Sequence, residues 1–278
     1  MHPKLRFRGR AARQRSAKPC TAVRIRSEPP LYTMRFLGII PARYKSSRFP
    51  GKPLVDIAGK SMLQRVYEQC IKSKALDKVI IATDDERIYN HALSFGSQAV
   101  MTKEEHYSGT DRCFEAYINL NEQFDVVVNI QGDEPFIHEE QIQLLTKSFL
   151  PQHEIATLMI KCADYEILSS EGEVKIVLDN TSHALYFSRS IIPYIKNIPI
   201  TEWHKHHKYY RHVGMYAYRT DILESITRLQ PSELEKKESL EQLRWLENGF
   251  KILCIETTHD SHCIDYPEDI DRVLKLMK

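Results

Sequence analysis

A repeated alternation of short apolar runs with helical periodicity restricts what this chain can fold into. Residues 36–40 read as a buried parallel-type strand. Behind the Gly59-Lys60 turn, with Ser61 as N-cap, Met62, Leu63, Val66, Tyr67, Cys70 and Ile71 recur at helical spacing. Residues 79–82 form the next strand, ending at Thr83-Asp84-Asp85, and a helix then leads to a short strand at 98–101. A helix around 114–120 and a strand over 125–130 continue the rhythm. Strand–helix–strand succession of this kind predicts a parallel sheet with right-handed crossovers.

The second half changes texture. Residues 155–161, 173–179 and 183–187 read as strands, the last two joined as a hairpin through Asp179-Asn180-Thr181. Residues 188–212 are loop-rich and include the tract His204-Lys205-His206-His207-Lys208, which lacks partner acids and reads as solvated. Residues 211–218 alternate as a strand. Residues 239–248 read as one helix with Leu240, Leu243 and Leu246 on its inner side and Gly249 closing it. A strand at 250–256 and a helix opened by Asp265-Tyr266-Pro267-Glu268-Asp269 finish the chain. The whole predicts one α/β/α domain of three layers with a mostly parallel, mixed sheet, and a smaller subregion over 155–235.

Charge is unevenly spread. Residues 1–33 hold nine Lys/Arg and one acid, so the other 245 residues carry 30 bases against 36 acids. The folded part is therefore mildly acidic, which does not indicate a nucleic-acid binder. The basic stretch is read as a disordered or non-native extension ahead of Met34; a targeting peptide is the other reading, although no apolar h-region marks a secretory signal. No apolar run approaches the ~20 residues that span a bilayer. The six cysteines lie far apart without a Cys-x-x-Cys pair, which points to reduced thiols and a cytoplasmic location.

Two loops carry the candidate chemistry. After the first strand, Pro41 is expected to stop the ladder, and Arg43, Lys45, Arg48 and Lys52 follow with no acid before Asp56. Cations on a Gly/Pro-shaped loop at a strand's carboxyl end suit a polyphosphate; a merely solvated basic loop is the alternative. The pattern is neither the dinucleotide fingerprint nor the P-loop, since Gly51-Lys52 is followed by proline. The second loop, Gln131-Gly132-Asp133-Glu134-Pro135, puts an acid directly after a strand, where Mg²⁺ can be held by one or two carboxylates plus substrate phosphates. Alternatively, Asp133 and Glu134 cap the helix near 139–149. The turn 106–113, with Ser108, Gly109, Thr110 and Arg112, offers donors and a cation, or simply a capped helix start.

These loops resemble the signature of the sugar-acid cytidylyltransferases, and most of all the 3-deoxy-manno-octulosonate (Kdo) branch. The likeness spans 34–278. It rests on Ile39-Ile40-Pro41-Ala42-Arg43 with Arg48-Phe49-Pro50-Gly51-Lys52-Pro53-Leu54, on Ser108-Gly109-Thr110-Asp111-Arg112 and on Asn129-Ile130-Gln131-Gly132-Asp133-Glu134-Pro135. Tyr186-Phe187-Ser188-Arg189, Arg211-His212-Val213-Gly214-Met215-Tyr216, Leu240-Glu241-Gln242 and Asp265-Tyr266-Pro267-Glu268-Asp269 extend it. Tyr266 stands where the family pattern has threonine.

The resemblance implies a nucleotidyltransferase fold, CTP and Kdo as substrates, Mg²⁺, a homodimer built through 155–235, and a place in lipopolysaccharide synthesis. It implies catalytic roles for Arg43, Lys52 and Asp133. Pro41, Ala42, Ser46, Ser47, Thr83, Asp84, Ser108, Arg112 and Gln131 would hold the nucleotide with Arg43 and Lys52. Gln131, Arg189, His212, Tyr216, Glu241 and Gln242 would hold the sugar, and Asp133 and Asp265 the metal. Read without the family, Arg189 and Glu241 could be a surface pair and Tyr216 a core residue. A transferase for another sugar acid, such as a sialic acid, or a nucleotide sensor without turnover, are the alternative functions.

Overall fold

Residues 33–46, 48–260 and 263–275 are described in the computed structural model. The main sheet begins with β1 (Phe36–Ala42), followed by a small hairpin of β2 (Asp56–Ile57) and β3 (Lys60–Ser61) that leads into α1 (Met62–Ser73). Then come β4 (Lys78–Thr83), α2 (Glu86–Ser94), β5 (Gln98–Met101), α3 (Gly109–Leu120), β6 (Val126–Asn129) and α4 (Glu139–Ser148). The second half runs β7 (Ile155–Lys161), α5 (Tyr165–Ser169), β8 (Lys175–Leu178), β9 (Ala184–Ser188), α6 (Trp203–His206), β10 (Tyr210–Arg219) and α7 (Thr220–Thr227). It ends with α8 (Glu233–Glu238), α9 (Gln242–Glu247), β11 (Ile252–Glu256) and α10 (Asp269–Lys275).

The sheet order is β11-β7-β10-β6-β1-β4-β5. Strand β1 pairs in parallel with both β4 and β6, β5 pairs in parallel with β4, and β11 with β7. Strand β10 is antiparallel to β6 and β7, and the β8–β9 hairpin hangs from its start. A mostly parallel, mixed sheet results. Side chains alternate across it: Phe36, Ile40 and Ala42 of β1 pack with Leu63 and Val66 of α1 and Leu145 of α4, while Leu37 and Ile39 pack with Cys113 and Ala116 of α3 and Leu223 of α7. A strand buried on both faces has to be apolar throughout, which is how residues 36–40 read.

The chain visits β4 and β5 on one side of β1 before returning to β6 on the other. That reversal opens a crevice beyond the carboxyl ends of β1 and β6, the place where open α/β sheets bind ligands. Pro41 does not stop the ladder as expected, because Ala42 still pairs with Thr83. Ile39 faces β6, its carbonyl accepting from the Ile130 N–H at 3.0 Å. Pro41, two residues on, faces the same side beyond the last β6 pair, so its missing N–H removes no bond to β4.

Three other expectations shift. The helix around 114–120 begins earlier, at Gly109, because the Ser108 hydroxyl caps it by accepting from the Asp111 N–H. The helix expected over 239–248 is shorter, α9 running over Gln242–Glu247, because Ser239 turns left-handed at φ 54 as the end of the preceding α8. The strands expected at 173–179 and 183–187 are Lys175–Leu178 and Ala184–Ser188, joined as predicted through a turn in which Asp179 accepts from the Thr181 and His183 N–H groups.

Candidate active site

At the crevice lies a cavity of about 240 Å³ whose walls come from three segments. The β1 exit supplies Pro41, Ala42, Arg43, Ser46 and Lys52; the turn before α3 supplies Ser108 and, from inside the helix, Arg112; the β6 exit supplies Gln131, Gly132 and Asp133. Nine of the residues expected to hold the nucleotide or catalyse therefore meet at one cavity. Ser47 lies outside the described residues.

Close backbone approach makes this geometry. A Cβ on Gly132 would stand 2.9 Å from the Pro41 carbonyl oxygen, so only glycine lets the loop after β6 lie against the end of β1. Gly51, at φ 72, turns the basic loop back so that its N–H reaches the Tyr44 carbonyl at 2.9 Å and Lys52 points inward.

The Lys52 ammonium donates to Asp133 Oδ2 at 2.8 Å and to Asp265 Oδ1 at 3.2 Å. Arg48 reaches the other oxygen of Asp265 at 3.0 Å. Burial pulls the Lys52 pKa down, but Asp133 and then Asp265 outweigh it, and the net movement is upward; the lysine stays charged. The two acids predicted from distant segments do converge. Cys263 joins them, with ligand atoms of all three within 4.8 Å of one another. Burial, then the two carboxylates, push the Cys263 thiol far above its ordinary range, so it is a neutral neighbour and not a thiolate. Helix α4 is capped by His138 in a capping box with Gln141, so Asp133 and Glu134 are not its cap.

Arg112 is 4% exposed. It is 3.4 Å from Asp84 Oδ1 and donates to Thr102 Oγ1 at 2.5 Å and the Lys103 carbonyl at 3.2 Å. Burial lowers its pKa, Asp84 opposes that, and the neighbouring Arg43 adds to it. Thr83 and Asp84 thus stand outside the cavity lining, at the end of β4, where Asp84 faces a cation that lines it. Ser108 both caps α3 and faces the cavity, so its two readings hold together.

The residues expected to recognise the sugar are spread differently. Gln131 donates to the Gly214 carbonyl at 2.9 Å, joining the β6 exit to the irregular stretch of β10 between Val213 and Tyr216. His212 Nε2 lies 2.9 Å from Thr157 Oγ1, and its ring centre is 5.1 Å from that of Tyr216. Burial, with Arg211 beside it, pushes the imidazole down to about 3, so it is neutral at pH 7. Glu241 accepts from Thr110 Oγ1 at 2.9 Å, and burial raises its pKa; Gln242 beside it is buried. Tyr216 is also part of the core, packed on Trp245. Arg189 and Glu241 are not each other's partners: Arg189 donates to the carbonyls of Glu238 and Glu171.

Sequence reasoning left Arg48, His106, Tyr107 and Cys263 out of the site. Arg48 was visible as a cation of the basic loop. His106 and Cys263 carried no signal, because only tertiary contact brings them near the cavity and its acids.

The sheet order and the crevice place the molecule among the nucleotide-handling α/β transferases. More narrowly, the chain belongs to the cytidylyltransferase family, whose model matches residues 37–252. It is 53% identical over 249 residues to the 3-deoxy-manno-octulosonate cytidylyltransferase of Parabacteroides distasonis, covering 88% of this chain and 98% of that one. To the mitochondrial 3-deoxy-manno-octulosonate cytidylyltransferase of Arabidopsis thaliana it is 41% identical over 249 residues, covering 89% and 84%. The solved structure of CMP:2-keto-3-deoxy-manno-octonic acid synthetase complexed with CTP matches with a TM-score of 0.80 at 39% identity, over 87% of this chain and 98% of that chain.

Proposed function

We propose that this chain transfers CMP from CTP to Kdo, releasing pyrophosphate. The observation that carries the reading is Lys52 standing between Asp133 and Asp265 at the mouth of a cation-lined cavity, in a fold whose relative is known as a CTP complex. The sugar's anomeric hydroxyl oxygen attacks the α-phosphorus, the bond from that phosphorus to the bridging oxygen of the β-phosphate breaks, and the hydroxyl proton leaves to solvent. Little covalent work falls to the protein; positioning and charge stabilisation supply the acceleration. Arg43 and Lys52 hold the triphosphate and the charge that grows at the transferred phosphoryl, with Ser46 adding a donor. Arg112, braced by Asp84, and Gln131 fix the nucleotide against the β6 exit. Gln131, Glu241, Gln242, His212 and Tyr216 recognise the acceptor, and Arg189 orders the β9–α8 junction beside it.

The metal expectation passes a chemical test. Two carboxylates face one cation, and oxygen donors suit Mg²⁺, whereas the protonated thiol of Cys263 does not compete. Asp133 and Asp265 would hold the ion, which when bound supplies neutralisation of phosphate charge. In the same reading residues 34–278 are the cytidylyltransferase domain, 155–235 builds the sugar pocket and a homodimer contact, and the enzyme works in the cytoplasm for lipopolysaccharide assembly. No described helix is long and apolar enough to cross a membrane. The test is pyrophosphate release from CTP and Mg²⁺ with Kdo or with a sialic acid. Turnover with Kdo alone is expected; turnover with sialic acid alone, or CTP binding with no release for either, overturns the proposal.

A further inference from the structure

A second cluster of ligating side chains lies outside the cavity. His138 ends the loop that carries Asp133, Glu140 sits in the first turn of α4, and His259 comes from the segment that leads to Asp265. The two imidazoles stack with centroids 3.7 Å apart and planes 6° from parallel. His259 Nε2 meets Glu140 Oε2 at 2.6 Å. Ligand atoms of all three lie within 4.8 Å of one another. We propose that His138, Glu140 and His259 form a binding site for a borderline transition-metal ion of the Zn²⁺ class, distinct from the Asp133–Asp265 pair and independent of the reaction assigned above.

The main chain holds His259 in place without help from an ion. Its carbonyl accepts from Gln141 Nε2 at 3.0 Å and its N–H donates to Thr257 Oγ1 at 3.2 Å. Next to it, Asp260 pairs with Arg211 of β10. What stays adjustable is the side chains: His259 and Glu140 are 32% and 62% exposed. His138 Nδ1 accepts from the Glu140 N–H at a long 3.3 Å. A tetrahedral Zn²⁺ about 2.0–2.1 Å from each ligand sets neighbouring ligand atoms roughly 3.3 Å apart. The Glu140–His259 contact has to open slightly, which the exposed Glu140 allows, and the half-buried rings have to tilt toward each other.

Donor type decides the class of ion. Two imidazoles and one carboxylate favour Zn²⁺, Ni²⁺ or Cu²⁺, whereas the all-oxygen pair at Lys52 favours Mg²⁺. Three protein ligands leave a fourth position for water. An ion there ties the segment carrying Asp133 to the segment carrying Asp265, the two carboxylates that meet at Lys52. Occupancy would therefore stiffen the approach of those segments to each other.

The test uses the full chain, stripped with chelator and titrated with Zn²⁺ against a chromophoric competitor, with hydrogen exchange read over 257–260. One ion per chain and slower exchange are expected. His259→Gln, which leaves the α4 cap alone, and Glu140→Gln should each weaken binding about tenfold or more and abolish the slowing. Cys263→Ser should bind as wild type. Failure of the wild type to compete for Zn²⁺ overturns the site. So does loss of binding in Cys263→Ser, or binding unchanged by His259→Gln and lost on replacing His204, His206 and His207.

Discussion

Lys52 shows how one side chain can carry two duties. It is 14% exposed, it bonds both metal-class carboxylates, and it borders the space for phosphate. Lys52→Ala removes a fixed positive charge from the place where negative charge grows, so pyrophosphate release should fall about 10²–10³-fold, the scale found for losing one preorganised donor. Asp133→Asn should lose at least as much and should raise the Mg²⁺ needed for half-maximal rate. His212 makes a pH prediction. Its folded pKa, about 3, lies below the ordinary 6.5, so the unfolded chain binds more protons between those values and stability rises with pH there. Stability from this group is complete above pH 6.5 and is lost as pH falls toward 3, by about 1.4 kcal/mol per unit. Denaturant titrations at pH 7 and pH 5 should show that slope, and His212→Gln should flatten it. Residue chemistry of this kind was half legible: the cations and Asp133 announced themselves by standing after apolar runs, but nothing local told that His212 would be desolvated against Phe187 and Tyr216.

At the scale of elements, the contacts that matter are between strand exits. Gly132→Ala puts a methyl 2.9 Å from the Pro41 carbonyl, and that oxygen belongs to β1, an interior strand of the sheet. The β6 loop has to back away, carrying Gln131 and Asp133 with it. Turnover should drop by about 10²-fold, on the scale of a 1 Å misplacement, while thermal denaturation should show a loss of roughly 1–3 kcal/mol, as for overpacking. Ser239 offers the opposite sign. It holds φ 54 between α8 and α9, so Ser239→Gly should stabilise by about 1 kcal/mol in denaturant titration without touching the cavity. Periodicity placed most helices and strands because burial of one face repeats along them. It started α9 three residues early because Leu240 fits the spacing of Leu243 and Leu246 although it lies ahead of the helix, and it misplaced the end of β1 because a proline's effect depends on which neighbour its nitrogen faces.

For the whole molecule, the proposed dimer surface is testable from exposure. Leu185 and Tyr194 are 62% and 75% exposed within the 155–235 subregion. Sedimentation should give a two-chain mass, and Leu185→Glu should weaken association about tenfold or more while leaving the fold intact. Removing residues 1–33 should leave kcat/KM for CTP unchanged.

The order of apolar runs, the strand-end position of the basic loop and of Asp133, and the acidic body behind a basic tail were all determined by the sequence, because each depends on neighbours along the chain. Which strands lie side by side depends on packing across the sheet. Only that packing brought β6 back beside β1, set Gly132 against Pro41, and carried Asp265 and Cys263 across the molecule to meet Asp133 at one ammonium. Charge convergence over such separations is a property of the folded sheet, since no local rule relates side chains that share neither a helix face nor a strand register.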